Sequence, residues 1–79
     1  MSSNPLKNIP LKTFRDFLVW RGLKHIRTKG GHEIWTAKEL TRPVILQSHI
    51  DPVPLPIVKN IFRTINCSKE DYIDFLKNG

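Results

Sequence analysis

One cysteine, one methionine and a single acid in the first thirty residues mark what this 79-residue chain goes without. Cys67 has no partner, which excludes an intrachain disulfide and fits a reducing compartment. No apolar run approaches the roughly 20 residues of a membrane-spanning helix, and the N-terminus lacks the apolar centre of a secretory signal. The histidines and carboxylates show no pairing at metal-ligand spacing, so neither a metal nor a cofactor is expected. These absences predict a protein of the cytoplasm with no membrane partner. The length allows one domain, 1–79, burying only about 60–65% of its unfolded surface. Without disulfides, a core that thin depends on helix packing or on a partner protein.

Positive charge is abundant and unevenly placed. Through Gly30 the chain carries seven basic residues (Lys7, Lys12, Arg15, Arg21, Lys24, Arg27 and Lys29) against Asp16, whereas from Gly31 onward six basic residues meet six acids. The whole excess of +6 therefore falls on the first helix and first strand. Clustered positive charge is the usual footprint of a polyanion site, although a solvated helix face gives the same pattern.

Local patterns predict the order α-β-β-β-α-α. Met1 to Asn8 reads as a flexible lead-in to a core over 10–76. Pro10 suits a first helical turn, Leu11, Phe14, Phe17 and Leu18 recur at helical spacing, and Gly22 stops the helix near Arg21. Lys24 to Thr28 and Glu33 to Thr36 read as paired strands. The apolar run Val44-Ile45-Leu46 ahead of Gln47 predicts a third strand, buried on both faces or central beneath helices. Three alternating prolines in Asp51–Pro56 forbid helix and ladder, and Pro56 can open a helix with the stripe Ile57, Val58, Ile61, Phe62, Ile65. Ser68 with Asp71 forms a capping-box pattern ahead of a short helix burying Tyr72, Ile73, Phe75 and Leu76. The fold class is a small α+β domain: a three-stranded antiparallel sheet with helices on one face.

Between the first two strands lies Gly30-Gly31-His32. Two glycines permit a tight turn of positive φ, and the side chain that leaves it is the one with an unperturbed pKa nearest neutrality. With Lys24, Arg27 and Lys29 before it and Trp35 after it, this imidazole suits chemistry on a phosphodiester. It suits an ordinary hairpin equally well.

Five features in order resemble the HicA (YcfA-like) family, the small toxins of toxin–antitoxin pairs: Gly22-Leu23 closing the first helix; a basic strand into Gly30-Gly31-His32; Trp35; Val44-Ile45-Leu46 leading to His49; and Ile61 ahead of the capped segment Ser68–Leu76. The resemblance covers residues 10–76 and implies a fold like that of double-stranded-RNA-binding domains. It implies endoribonuclease activity on messenger RNA, with His32 as the catalytic residue. It also implies a cognate HicB-like antitoxin that covers the active site. The chain departs from the family pattern at Gly31, where a small hydroxyl residue is common, at Gln47-Ser48, where a proline precedes the histidine, and at Pro54-Leu55-Pro56.

Metal-independent RNA cleavage needs a base for the 2′-hydroxyl, stabilisation of the phosphorane and an acid for the leaving oxygen. His32 can supply the first or the third. Lys24, Arg27 and Lys29, with the Gly30 and Gly31 backbone, are candidate phosphate contacts, Arg27 being the better bidentate partner. Lys12 and Arg15 are further cations within reach of a polyanion. Trp35 is a candidate for base stacking, or else core. His49 is a candidate second acid/base or RNA contact, or a local hydrogen-bonding group. His25, Trp20 and Cys67 read as structural. Two non-enzymatic readings stay open: an RNA-binding module that cleaves nothing, and a degenerate toxin that only docks a partner protein.

Overall fold

The computed structural model describes residues 4–78. They form α1 (Leu11–Trp20), β1 (Lys24–Lys29), β2 (His32–Thr36), β3 (Val44–Gln47), α2 (Leu55–Thr64) and α3 (Lys69–Asn78). The strands make one open antiparallel sheet in the order β1-β2-β3. This is the α-β-β-β-α-α layout read from the sequence.

Two helix ends close in the same way. After α1, Gly22 (φ 97°) donates to the Val19 carbonyl at 3.0 Å and Leu23 donates to Leu18 at 2.9 Å. After α2, Asn66 (φ 55°) donates to Arg63 at 3.3 Å and Cys67 donates to Phe62 at 2.8 Å. Each is a Schellman closure, in which a left-handed residue turns two amides back onto the last carbonyls. The start of α3 is a reciprocal box. Ser68 N–H donates to Asp71 Oδ2 at 2.8 Å and Asp71 N–H donates to Ser68 Oγ at 3.3 Å. The bond from the Ser68 backbone, followed by that from its hydroxyl, holds the Asp71 carboxyl below its ordinary range.

The core lies between the helices and one face of the sheet. Phe14, Phe17, Leu18, Val58, Phe62, Tyr72 and Phe75 come from the helices, and Trp35, Val44 and Leu46 from the strands. Phe17 is at its centre, with ring centroids of Phe62, Tyr72 and Phe75 all within 5.5 Å. Apolar burial at helical spacing therefore explains the assembly.

Three expectations need correction. Residues 4–8 are not a loose lead-in, although Met1–Ser3 lie outside the described residues. Leu6 and Ile9 are buried in the core, and Ile9 bridges Val53, whose N–H donates to the Ile9 carbonyl at 2.9 Å. Asp51 Oδ1 also accepts from Leu11 N–H at 3.0 Å, capping α1 from forty residues away. The proline-rich connector is thus the clamp on the N-terminal segment, and it does make one bridge. Second, β3 is an edge strand, not a central one: Val44 and Leu46 point inward, while Ile45 stays 44% exposed. Third, Leu76 is exposed and Ile73 only half-buried, so α3 contributes mainly Tyr72 and Phe75.

One polar group lies inside this apolar layer. Glu33 on β2 is 6% exposed and points to the helix side. Arg15 of α1 donates from Nε to both carboxylate oxygens (3.1 and 3.0 Å) and from its terminal nitrogen to Oε2, and the Trp35 indole N–H donates to Oε1 at 3.1 Å. Burial alone would push the Glu33 carboxyl up. The hydrogen bonds from Arg15 and Trp35, with the guanidinium's charge, outweigh it and hold the group below the ordinary carboxylate range. The same bond raises Arg15.

A charge buried without its partner is costly, so this pair is a stability determinant. Because the Arg15 side chain is 38% exposed, water offsets part of the loss. Arg15→Ala is expected to cost about 2 kcal/mol in urea unfolding. A folded-state value below the unfolded one stabilises the protein above the unfolded carboxyl's pKa of roughly 4.3, and that stability disappears as pH falls through the folded value. The urea midpoint should therefore drop more steeply below about pH 4 in the wild type than in Glu33→Gln. Parallel acid limbs would contradict the assignment.

Candidate functional site

β1 and β2 are joined by a two-residue turn. Lys29 pairs with His32, and Gly30 (φ 55°) and Gly31 (φ 83°) sit between them. Positive φ at both central residues is the mark of a type I′ turn, whose twist matches the strands it joins. The Gly31 carbonyl then ties the turn to the end of β3. It accepts from Ser48 N–H at 2.7 Å, from Ser48 Oγ–H at 3.0 Å and, weakly, from His49 Nδ1 at 3.4 Å. This tether places the His49 ring beside His32, with centroids 6.0 Å apart and planes at 66°.

Gly31 is glycine for two reasons. Its φ disfavours any L side chain, and a Cβ there would come within 3.1 Å of His49 Nδ1. Gly30 carries only the first constraint, since open space surrounds its missing Cβ. The departure from the hydroxyl residue common in the resembled family is thus coupled to where His49 stands.

Strand alternation decides which residues share this face. Glu33 and Trp35 point to the helices, so His32, Ile34 and Thr36 point to the open side. Directly opposed residues share a face, which adds Lys29, Arg27 and Lys24 from β1 and Gln47 and Ile45 from β3. No carboxylate is among them. Arg27 and Lys29 share the open side by alternation, and an irregularity at Ile26, between His25 and Arg27, brings Lys24 to that side as well. The sheet therefore turns an exposed, cationic face to solvent with His32 at its turn end.

The structure brings together His32, Gly30, Gly31, Lys29, Arg27 and His49. Lys24 shares the face but lies at the other end of β1, opposite Thr36 and roughly 16 Å along the strand from Lys29. Trp35 does not join the site. It is 4% exposed, with its indole N–H committed to Glu33, so it has no face on which a base could stack. Arg15 is likewise spent on Glu33, and Lys12 pairs with Asp16 at 3.7 Å on the surface of α1. His25 lies on the helix-facing side of β1, against Trp35 and hydrogen-bonded to Thr28 Oγ1 at 2.9 Å. Cys67 is half-buried. Burial pushes its thiol up despite the Arg21 Nε–H donated to Sγ, which makes it a poor nucleophile. The sequence reading missed Ser48 as the tether. Its only signal was position, directly before His49.

Two clefts lie away from His32. One of about 480 Å³ is bordered by Arg21, Leu23, Leu40 and Asn66, and a neighbour of about 440 Å³ by Gly22, Lys24, Thr36 and Lys38. A histidine on an open face cannot enclose a small molecule, but a polymer can lie across it. Among the described residues, no three His, Cys, Asp or Glu side chains come together as metal ligands. No helix among them is long and apolar enough to cross a membrane. Comparison with protein-family models, curated proteins and solved structures gave no match to this chain.

The two glycines can be told apart by experiment. Gly30→Ala and Gly31→Ala should each lower stability by about 1 kcal/mol through backbone strain. Only Gly31→Ala should also shift the imidazole NMR signals of His49 strongly. Equal shifts in both variants would mean that His49 does not pack on Gly31.

Proposed function

We propose that this chain is a HicA-like toxin: a metal-independent endoribonuclease that cuts messenger RNA, uses His32 in proton transfer and is held inactive by a HicB-like antitoxin. The observation that carries the reading is the exposed imidazole of His32 on a sheet face where Lys29 and Arg27 are neighbours and no strand residue is acidic. The α-β-β-β-α-α order agrees with the fold that the family resemblance implies.

The chemistry follows from these groups. Arg27 and Lys29 attract the phosphate backbone and offset the charge that grows on the phosphorane. Strand pairing fixes Lys29 opposite His32, so a phosphate held by the lysine lies within reach of the imidazole. Dependence on a 2′-hydroxyl selects RNA over DNA. The protein works in the cytoplasm, where its substrate is. The antitoxin supplies carboxylates against Arg27 and Lys29 and closes access to His32, which requires no change in the toxin's fold.

Purified protein and labelled messenger RNA test the reading. His32→Ala should lower the cleavage rate by about 10²–10⁴-fold with little change in RNA affinity. Arg27→Ala should weaken binding and flatten its salt dependence by roughly one phosphate contact. Unchanged cleavage by His32→Ala would refute His32 as the catalytic residue. Salt-sensitive RNA binding without cleavage by the wild type would instead identify a binding module.

A further inference from the structure

We infer that His49 is a second catalytic residue, and that His32 and His49 divide between them the two proton transfers of RNA transesterification. This rests on the ribonuclease reading of the same face and specifies its mechanism.

Nothing in the fold demands an imidazole at position 49. The side chain is exposed, and its bond to the Gly31 carbonyl is long at 3.4 Å. Ser48 already satisfies that oxygen through two shorter bonds, 2.7 Å from N–H and 3.0 Å from Oγ–H. The turn would therefore stay tied to β3 without His49. What the arrangement does achieve is proximity. Ser48 anchors the end of β3, Gly31 leaves clear the space that a Cβ would take from the His49 ring, and the two imidazoles come to 6.0 Å between centroids.

That separation suits one phosphodiester. Hydrogen bonds of about 2.8 Å from two ring nitrogens can reach different oxygens of a single phosphate group. A carbonyl only accepts, so in the tautomer that bonds Gly31 the Nδ1 of His49 carries the proton and Nε2 is left for the substrate. Lys29, opposite His32, and Arg27, two residues back on the same face, supply positive charge beside the pair.

The reaction balances with these groups alone. One imidazole, neutral at the start, takes the proton from the ribose 2′-hydroxyl as O2′ bonds to phosphorus. The P–O5′ bond breaks, and O5′ takes a proton from the other ring, which begins as imidazolium. The products are a 2′,3′-cyclic phosphate and a 5′-hydroxyl end. The two rings have exchanged protonation states, and a proton passed between them through solvent restores the starting form.

A leaving group that needs no proton separates the two roles. A short oligoribonucleotide containing a site that the wild type cuts is made with either the natural P–O5′ bond or a bridging P–S5′ bond, since a thiolate departs without acid assistance. On the oxygen substrate, His32→Ala and His49→Ala should each be slower by about 10²–10⁴-fold. On the sulfur substrate one of the two variants, and only one, should return close to the wild-type rate. End analysis should show a cyclic phosphate. The pair is overturned if His49→Ala cuts the oxygen substrate within about threefold of wild type, well short of the loss of a general acid or base. It is also overturned if the sulfur substrate rescues both variants or neither. In those cases cleavage by the wild type leaves the ribonuclease reading standing. If the wild type cuts neither substrate, that reading fails as well. Both histidines are exposed, so both variants should keep the fold, with circular dichroism as the check.

Discussion

A carboxylate buried against the helices governs the face that the sheet turns outward. Glu33 lies on the inner side of β2, hydrogen-bonded by Arg15 and by the indole of its own neighbour but one, Trp35. Side chains alternate along a strand, so a slip of one residue would put Glu33 in water and His32 in the core. The slip would strand the polar His32 ring in an apolar medium, and leaving Arg15 without its acid adds to the cost. The pair therefore does more than join α1 to β2. By fixing which side of β2 is inside, it fixes His32, Arg27 and Lys29 on the outside, and it removes one cation of the basic N-terminal half from the competition for an external polyanion.

A second constraint acts at the turn. The Gly31 carbonyl gathers Ser48 and His49 from the end of β3, so hairpin and edge strand meet at the point where the two imidazoles approach. Neither strand alone carries a site. The site exists because two glycines turn the chain tightly, one of them leaves space for a ring, and a serine holds the neighbouring strand in register. Small residues near histidines are thus as informative here as the histidines themselves.

Much of the fold was legible because local chemistry was unambiguous. Gly22 and Ser68 with Asp71 end and begin helices as their caps predict, and the Gly-Gly turn is the hairpin that it looks to be. What the local pattern could not show was anything set by distant residues. Leu6 looked like part of a flexible lead-in, but it is buried in the core, and the connector some forty residues later pairs Val53 with Ile9 and caps α1 through Asp51. The apolar run of β3 looked central, whereas the sheet ends there and leaves Ile45 on the open face. Trp35 was a candidate for stacking only until Glu33 claimed its N–H. In the site, His32 and its cationic neighbours follow from strand alternation. The nearness of His49 depends on a tether between strands that no spacing in the sequence reveals.

These constraints converge on one claim, that an exposed histidine on a cationic sheet face cuts RNA. The most direct measurement is messenger-RNA integrity in living cells after induced expression of the wild type and of His32→Ala, with no antitoxin present and with matched levels of folded protein. The account predicts that the wild type fragments messenger RNA and arrests growth, while His32→Ala does neither. Intact RNA with the wild type, or equal fragmentation with both, would contradict it.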